Sequence, residues 1–365
     1  MRQFRAGARF REGRFSGFRT GLYIPLYIAL EKRGYKVTFY NPADLKVGEL
    51  GSDIQQPAIS HVEFEIHDFG CGAFRMITDD KIPFSIDYRT RVDIAPYFST
   101  DPWYTGFILI MPQKSQTRKP YEYGGFGYFE QLGWIRISGD YASQDASAIV
   151  ANIVEYQVAP STYVKYNPSK IATSGKTVSE ISFDYVPGKS AFQTLADLAV
   201  GFEFGVDNFR EFYFRERDAE IRETLWATKH YGEFSIDENV VDLRNRLYVK
   251  GGQIIEGSNI IGSVEDADSI AAYGIHEDII TAPEILNTDD ALAWAQEVLL
   301  RKSEPKRTGH VENVFLDQLR RLIEAKGKAR ITDENGEEFI LPIRSVRYRI
   351  SPAGTFATLE LESPL

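Results

Sequence analysis

Four side chains of the types that bind metal ions alternate between positions 61 and 67. His61, Glu63, Glu65 and His67 would share one face of a β-strand, because successive side chains of a strand point to opposite faces. Imidazole nitrogens and carboxylate oxygens are ordinary zinc ligands. Side chains two residues apart along a strand are about 7 Å apart, however, so these four could hold an ion only together with another element. The sequence therefore favours a solvated polar stripe, and we predict no metal site.

The one cysteine of the chain, Cys71, stands between Gly70 and Gly72. A reactive thiol needs nearby positive charge and access to solvent, whereas a cysteine in a β-segment usually behaves as a small hydrophobic residue. We expect an unreactive thiol here. A single cysteine also excludes an intrachain disulfide, which fits assembly in a reducing cytoplasm.

Residues 174–177, with the sequence SGKT, resemble the end of a phosphate-binding loop. The first glycine of that motif would fall at Lys170, so the loop could not curl around a phosphate with its backbone amides. The motifs of serine hydrolases, zinc proteases and paired-cysteine metal sites do not occur in the sequence. Carboxylate pairs are plentiful, and two suitably spaced carboxylates suffice for glycoside hydrolysis. A carbohydrate hydrolase is therefore the enzymatic alternative, but we predict no catalytic, cofactor-binding or metal-binding residue.

The first twenty residues form a basic arm in which arginines alternate with phenylalanines and glycines. Such an arm either grips nucleic acid or an acidic partner, or docks along a neighbouring subunit. The chain has a net charge of −10, which is unfavourable for general binding to phosphates, so we favour docking on a subunit. The predicted docking residues are Arg2, Arg5, Arg9, Arg11, Arg14 and Arg19.

The elements that must position these side chains are mostly strands in the first third of the chain. Aromatic residues make up 13% of the sequence and favour pleated surfaces. Short alternating segments separated by polar turns predict an antiparallel barrel or sandwich with strands at 36–40, 58–69, 74–77, 82–88, 91–94 and 106–111. The apolar segment 22–30 is too short to span a membrane and contains a proline, so we predict a strand or a short buried segment and no membrane anchor.

Helices are predicted at three places. Ser143 would cap a helix over 143–157, with Asp145 near its positive end, and Ser190 would cap a helix that ends before Gly201. The following residues, 202–214, alternate as an aromatic hairpin around an Asp-Asn corner. A third helix is expected at 288–302. Near the C-terminus, Asn335-Gly336 predicts a hairpin between strands at 329–332 and 338–343, followed by strands at 344–350 and 356–361.

Charge is distributed unevenly along the second half of the chain. Residues 231–290 contain thirteen acids and three basic residues, whereas residues 301–330 contain nine basic residues and four acids. An acidic face on one copy could meet a basic face on the next copy in a ring. The alternative, in which both faces are solvated, is equally compatible with the sequence.

Several short segments occur in a fixed order from about residue 121 to the C-terminus. The aromatic, glycine-rich segment 121–129 is followed by LADLA, VD and FYF within 188–217, by NRLYVKG at 245–251, by SIAAYG at 269–274 and by the helix at 288–300. In these segments and in their order the chain resembles the central baseplate hub proteins of phage tails and related contractile injection machines. The basic arm is not part of that pattern, and the first 118 residues match it only in their strand rhythm.

The resemblance implies a β-rich α+β fold with two tube-like antiparallel β-barrel domains and small α/β inserts. The expected divisions are the basic arm (1–20), a first tube-like β-barrel (21–118), an α+β junction (119–187) with a helix at 143–157, a helix–hairpin unit and following strand (188–257), an acidic loop with a helix at 288–302 (258–310), and the strands that close a second barrel (311–365).

The resemblance also implies a function without catalysis. Hubs of this family are homotrimers that join the hexameric tail tube to the trimeric central spike and continue the tail channel. Expected partners are therefore two further copies, the tail tube protein, the central spike protein, and the tape measure and other baseplate proteins, with DNA only as passing cargo. The protein would be a virion component of the tail baseplate, assembled in the host cytoplasm. The alternative within this class is another tail ring, such as a hexameric distal tail or tube protein.

Overall fold

The computed structural model describes residues 34–51, 59–97, 99–113, 120–251, 260–316, 322–351 and 354–363. The basic arm with its six arginines and the apolar segment 22–30 lie outside these ranges. None of the helices within them is both long enough and apolar enough to cross a membrane.

Seven strands from the first third of the chain form one end of a large, mainly antiparallel sheet. They are β1 (Tyr35–Tyr40), β2 (Lys46–Leu50), β3 (Ile59–His67), β4 (Gly70–Thr78), β5 (Arg91–Pro96), β6 (Tyr104–Ile110) and β7 (Tyr121–Gly127). The predicted strand at 82–88 is wrong, and β2 was not predicted. Pro83 has no amide for a strand ladder, and the ring of Phe84 lies over the β1–β2 pair, 5.2 Å from the ring of Phe39.

Strands from residue 221 onward extend the same sheet. They are β12 (Ile221–Trp226), β13 (Glu233–Asn239), β17 (Lys306–Phe315), β18 (Lys328–Thr332), β19 (Glu338–Ser351) and β20 (Gly354–Ser363). The strand order is β13-β17-β20-β19-β3-β4-β7-β6-β5-β1-β2, and β18 pairs with both β12 and β19. The predicted hairpin between β18 and β19 is confirmed, with Gly336 at φ 83°. The predicted break at residues 343–344 is instead a bulge within β19.

A helical section lies between these two groups of strands. It contains α1 (Gln131–Trp134), β8 (Arg136–Asp145), α2 (Ala146–Ile153), a π-helical turn (Val154–Val158), β9 (Thr177–Pro187), α3 (Gly188–Leu198), β10 (Phe202–Val206) and β11 (Phe212–Glu216). A three-stranded sheet follows, built from β14 (Arg246–Gly251), β15 (Ile260–Glu265) and β16 (Glu277–Ala282), with α4 (Ala267–Tyr273) and α5 (Thr288–Lys302). Short 3₁₀ turns occur at Tyr128–Glu130 and Pro168–Lys170.

Two of the predicted helix starts are wrong, and one helix is as predicted. The carboxylate of Asp145, not Ser143, caps α2 by accepting a hydrogen bond from the Ser147 amide. Ser143 has a φ of 52° and belongs to β8. Helix α3 begins at Gly188 after Pro187, two residues before Ser190, because β9 leads directly into it. Helix α5 has the predicted bounds.

The described residues form two main hydrophobic clusters. The first joins strands from both ends of the chain, and in it the ring of Phe64 on β3 stacks 4.9 Å from that of Tyr348 on β19. The second packs α2, α3 and the β10–β11 hairpin around Phe192, whose ring lies 4.6 Å from that of Phe212. Large antiparallel sheets with few helices confirm the β-rich α+β fold. The domain boundaries stay a prediction.

Candidate interaction sites

The β10–β11 hairpin lies directly against the first group of strands. Val206 pairs in parallel with Gly70, and its amide donates to the Phe69 carbonyl at 3.0 Å. The hydroxyl of Tyr213 donates to the carbonyl of Asp68. A Cβ at Gly70 would lie 1.9 Å from the Val206 oxygen, and one at Gly205 would lie 2.3 Å from the Phe69 oxygen. The two backbones can therefore approach this closely only because both positions are glycine.

The turn of the hairpin makes polar contacts with the same strands. Asp207 shapes the turn by accepting hydrogen bonds from two backbone amides, and this leaves Arg210 at φ 68°. Thr105 Oγ1 donates to the Asn208 carbonyl at 2.6 Å, and Asn208 Nδ2 donates to the Pro102 carbonyl at 2.5 Å. The turn is thus held to the β5–β6 end of the sheet by side chains on both partners.

Arg210 adds to this contact an ion pair between a buried guanidinium and a half-exposed carboxylate. Its guanidinium is 2.6 Å from Asp44 Oδ2, and only 4% of the residue is exposed. Arg91 binds the other carboxylate oxygen of Asp44 at 2.7 Å and lies over the ring of Tyr40. Burial raises the pKa of Asp44, but the hydrogen bond and charge of Arg210, together with Arg91, outweigh burial and leave that pKa below its ordinary value. We call Asp44, Arg91 and Arg210 the ionic junction.

A cavity of about 590 Å³ lies on the other side of the hairpin. Its walls come from the β3–β4 turn, α3, β10, the C-terminal end of α5 and residues 242–244. Four phenylalanines, Phe69, Phe129, Phe202 and Phe204, line it together with charged side chains of both signs. The ring centroids of Phe69 and Phe129 are 4.2 Å apart.

Burial raises the pKa of two carboxyl groups in this cavity, although each of them contacts an arginine. Burial raises the pKa of Asp68, although Arg344 contacts its Oδ2 and partly offsets that effect. Burial also raises the pKa of Glu203; Arg215 opposes the rise and the charge of Asp68 adds to it. Oδ1 of Asp68 is buried and accepts no hydrogen bond from the described residues.

The side chains of the stripe on β3 contact one another and Arg347. His61 Nε2 lies 3.2 Å from Glu63 Oε2, and His67 Nε2 lies 3.3 Å from Glu65 Oε2. Arg347 of β19 lies between the two glutamates, 2.6 Å from Glu65 and 3.5 Å from Glu63. In the ranges that the structure describes, no group of three or more histidine, cysteine, aspartate or glutamate side chains could hold a metal ion.

The remaining candidate residues have structural partners. Burial raises the pKa of Cys71 to about 12, so its thiol stays protonated at neutral pH, as expected of an unreactive cysteine. In the segment 174–177, the Ser174 hydroxyl donates to Asp145 at 2.9 Å, and Lys176 lies 3.2 Å from Asp290. These contacts attach the start of β9 to α2 and α5. The predicted docking arginines 2–19 lie outside the described residues.

The acidic and basic sections contact each other within one chain. Arg307 of β17 lies 2.6 Å from Glu238 of β13, and Lys302 of α5 lies 3.6 Å from Asp278 of β16. Part of the charge complementarity that the sequence suggested between copies is therefore satisfied inside the molecule.

Sequence reasoning missed both the ionic junction and the cavity. The Asn41-Pro42 pair signals a turn, and Asp44 follows it at φ 60°. Nothing near Asp44 in the sequence indicates its partner, because Arg210 is 166 residues away. Glu203 and Asp68 likewise stand in unrelated segments, and only the folded chain brings them to one cavity.

No family model matches the chain, and no curated protein matches it. Solved structures do match it over nearly its whole length. The 43 kDa tail protein of prophage MuSo2 from Shewanella oneidensis is 15% identical with a TM-score of 0.63, over 90% of this chain and 98% of that one. The tail protein from Neisseria meningitidis is 12% identical with a TM-score of 0.64, and the match covers 91% of this chain and 97% of that chain.

A third solved structure is similar over nearly the same share of both chains, with a lower TM-score. Prophage tail protein gp18 from Listeria monocytogenes is 13% identical with a TM-score of 0.57, over 90% of this chain and 94% of that chain. At these identities the similarity establishes the fold. The predicted resemblance to phage tail proteins is thereby confirmed at the level of the fold.

Proposed function

We propose that this chain is a structural subunit of a phage tail or a related contractile injection apparatus, and specifically the central baseplate hub. The observation that carries the proposal is the nearly full-length correspondence with tail proteins: 90% of this chain aligns with 98% of the Shewanella tail protein. The hub-like segments and their order support the more specific assignment.

In this proposal three copies form a ring that joins the tail tube protein to the central spike protein and contacts the tape measure and other baseplate proteins. Among the described residues, β2 and β13 each have one neighbouring strand and stand at opposite ends of the strand path. Open strand edges of this kind promote association, and a ring covers them.

The ring would continue the tail channel and transmit movement of the spike when the particle fires. Acidic side chains from residues 231–290 would face the channel and repel the DNA backbone, so that DNA passes without binding. A structure of the assembled ring with basic or apolar side chains along the channel would contradict this part of the proposal.

Labelling of intact particles tests the tail role. An antibody raised against this chain and coupled to gold should bind particles from the source organism at the end of the tail, where the baseplate lies. A control antibody against a major head protein should label the opposite end. Gold on the head, or no gold on particles that contain the chain by mass spectrometry of denatured virions, would contradict an accessible baseplate position.

There are two alternative functions. The same fold evidence fits another tail ring, which would be hexameric. The cavity with Asp68 and Glu203 fits a two-carboxylate hydrolase less well, because each carboxylate is engaged by an arginine, Arg344 and Arg215 respectively. A glycosidase needs both carboxyl groups available to the substrate.

A further inference from the structure

The cavity beside the hairpin has the size of a ligand site but lies in a protein for which we predict no small-molecule ligand. Its volume of about 590 Å³ is within the range of roughly 300–1,000 Å³ that ligand pockets occupy. A pocket of this size also accommodates one or two side chains of a peptide segment.

One carboxylate oxygen in the cavity lacks a hydrogen-bond donor among the described residues. Arg344 engages one oxygen of Asp68, while the other oxygen is buried and accepts no hydrogen bond from the described residues. Such an acceptor is unfavourable unless a donor reaches it. A guanidinium group offers five N–H donors and suits a carboxylate geometrically.

Most of the cations that line the cavity already have acidic partners. Lys306 lies 3.1 Å from Glu362, Lys302 lies 3.6 Å from Asp278, and Arg301 lies 2.6 Å from Asp197. Arg301, Lys302 and Lys306 are therefore already paired with acidic side chains. An incoming cation could donate a hydrogen bond to the unpartnered oxygen of Asp68.

Phenylalanine rings form the apolar part of the cavity lining. Phe129 lies between Phe69 and Phe204, with ring centroids 4.2 Å and 5.8 Å away. Aromatic rings favour further rings in tilted or offset contact, and they also attract guanidinium groups. The cavity thus suits a segment that presents arginine and phenylalanine side by side.

The chain itself contains such a segment. Residues 1–20 hold six arginines and one glutamate, a net charge of +5, and each of their four phenylalanines is next to an arginine. Fourteen residues lie between Arg19 and Gly34, where the described chain begins. A fully extended linker of that length would span roughly 50 Å, which would be long enough for the arm to reach surfaces beyond β1.

We propose that the cavity is the docking site for the basic arm, with an arginine of residues 2–19 bound at Asp68 and Glu203 and an adjacent phenylalanine packed on the Phe69–Phe129–Phe204 rings. This docking does not depend on the proposed tail role. It gives a binding site to the basic arm, which is not part of the hub pattern.

Photocrosslinking in the full-length chain tests the proposal. Phe10, which has an arginine on both sides, is replaced by benzoylphenylalanine, the purified protein is irradiated, and crosslinked peptides are identified by mass spectrometry. We expect the main crosslinks at residues 68–69, 129 and 202–204. Glu203→Lys should lower their yield at least fivefold, whereas Glu233→Lys, the same charge reversal on exposed β13, should leave the yield unchanged.

The position and yield of the crosslinks either support or overturn the proposal. Crosslinks that map to other surfaces, no crosslinks, or a yield that Glu203→Lys does not change would overturn the proposal. Near-ultraviolet circular dichroism checks that the variants are folded. If Glu203→Lys does not fold, the milder Glu203→Gln, which keeps the size of the side chain, should still lower the yield at least twofold, and an unchanged yield would reject docking at this carboxylate.

Discussion

Arg210 places a permanent positive charge in the interior, where it depends on Asp44 for compensation. An arginine cannot give up its proton to escape an apolar environment. Removing the charge of Asp44 would therefore leave a buried cation with less compensation, which is more costly than losing an ion pair at the surface. The ionic junction is thus a point at which a single substitution can weaken the contact between hairpin and sheet.

We predict that Asp44→Asn lowers the free energy of unfolding by about 2 kcal/mol, between the values typical of surface and buried pairs. Asparagine tolerates the positive φ of this position, so the backbone is not strained. Urea denaturation at pH 7 measures the loss. Glu238→Gln, which removes the exposed pair with Arg307, is the control and should cost less than about 0.5 kcal/mol. Equal losses in both variants would show that Arg210 does not depend on Asp44.

The dependence of stability on pH should have opposite signs at Asp44 and Glu203. The pKa of Asp44 is lowered on folding, so its contribution is present above its ordinary value of 3.8 and is lost as the pH falls through the folded pKa. The pKa of Glu203 is raised, so its favourable contribution is present below 4.5 and is lost as the pH rises through the folded pKa.

Urea denaturation at pH 7 and pH 3.5 checks this prediction. The destabilisation caused by Asp44→Asn should shrink at the lower pH. The stability of Glu203→Gln relative to the unmodified chain should be more favourable at pH 7 than at pH 3.5. A pH dependence of the same sign in both variants would contradict the assigned shifts.

At the scale of elements, the β10–β11 hairpin connects the large sheet with the helical section. Its aromatic side chains pack on α3, while its backbone contacts the β3–β4 turn. The close backbone approach at Gly205 is essential to this position, since any side chain there would displace one of the two layers. The hairpin therefore joins the helical section to the large sheet.

We predict that Gly205→Ala destabilises the protein by about 3 kcal/mol, because its Cβ would overlap the Phe69 carbonyl and the Tyr213 hydroxyl. Gly232→Ala is the matched control, since its Cβ would be 3.4 Å from the nearest atom, an ordinary contact. We expect a change below about 1 kcal/mol for the control. Thermal and urea denaturation would measure both, and a tolerated Gly205→Ala would mean that the backbone approach is not essential.

Elements with strong local signals were predictable from the sequence. The hairpin at 202–214 and helix α5 follow from alternation, helical periodicity and turn residues that act within a few positions. The start of α2 was missed by two residues because Ser143 and Asp145 are both good caps, and only the path of β8 selects between them. The strand β2 and the irregular segment 82–88 depend on packing of Phe84 over the β1–β2 pair, for which the sequence has no local signal.

At the scale of the whole molecule, the fold matches tail proteins while the cavity with two carboxylates leaves hydrolysis as a testable alternative. We predict that the purified chain cleaves neither peptidoglycan nor common polysaccharides above the rate of the double variant Asp68→Asn/Glu203→Gln. Release of reducing ends is the measurement. Cleavage by the unmodified chain that disappears in the double variant would establish an enzyme and would contradict a purely structural role.

The number of copies in the assembled ring tests the central claim most directly. Native mass spectrometry of the purified full-length chain at micromolar concentration would measure it. The hub proposal predicts a complex of three times 41.4 kDa. A complex of six copies would contradict the hub and would support a tube or distal tail ring instead.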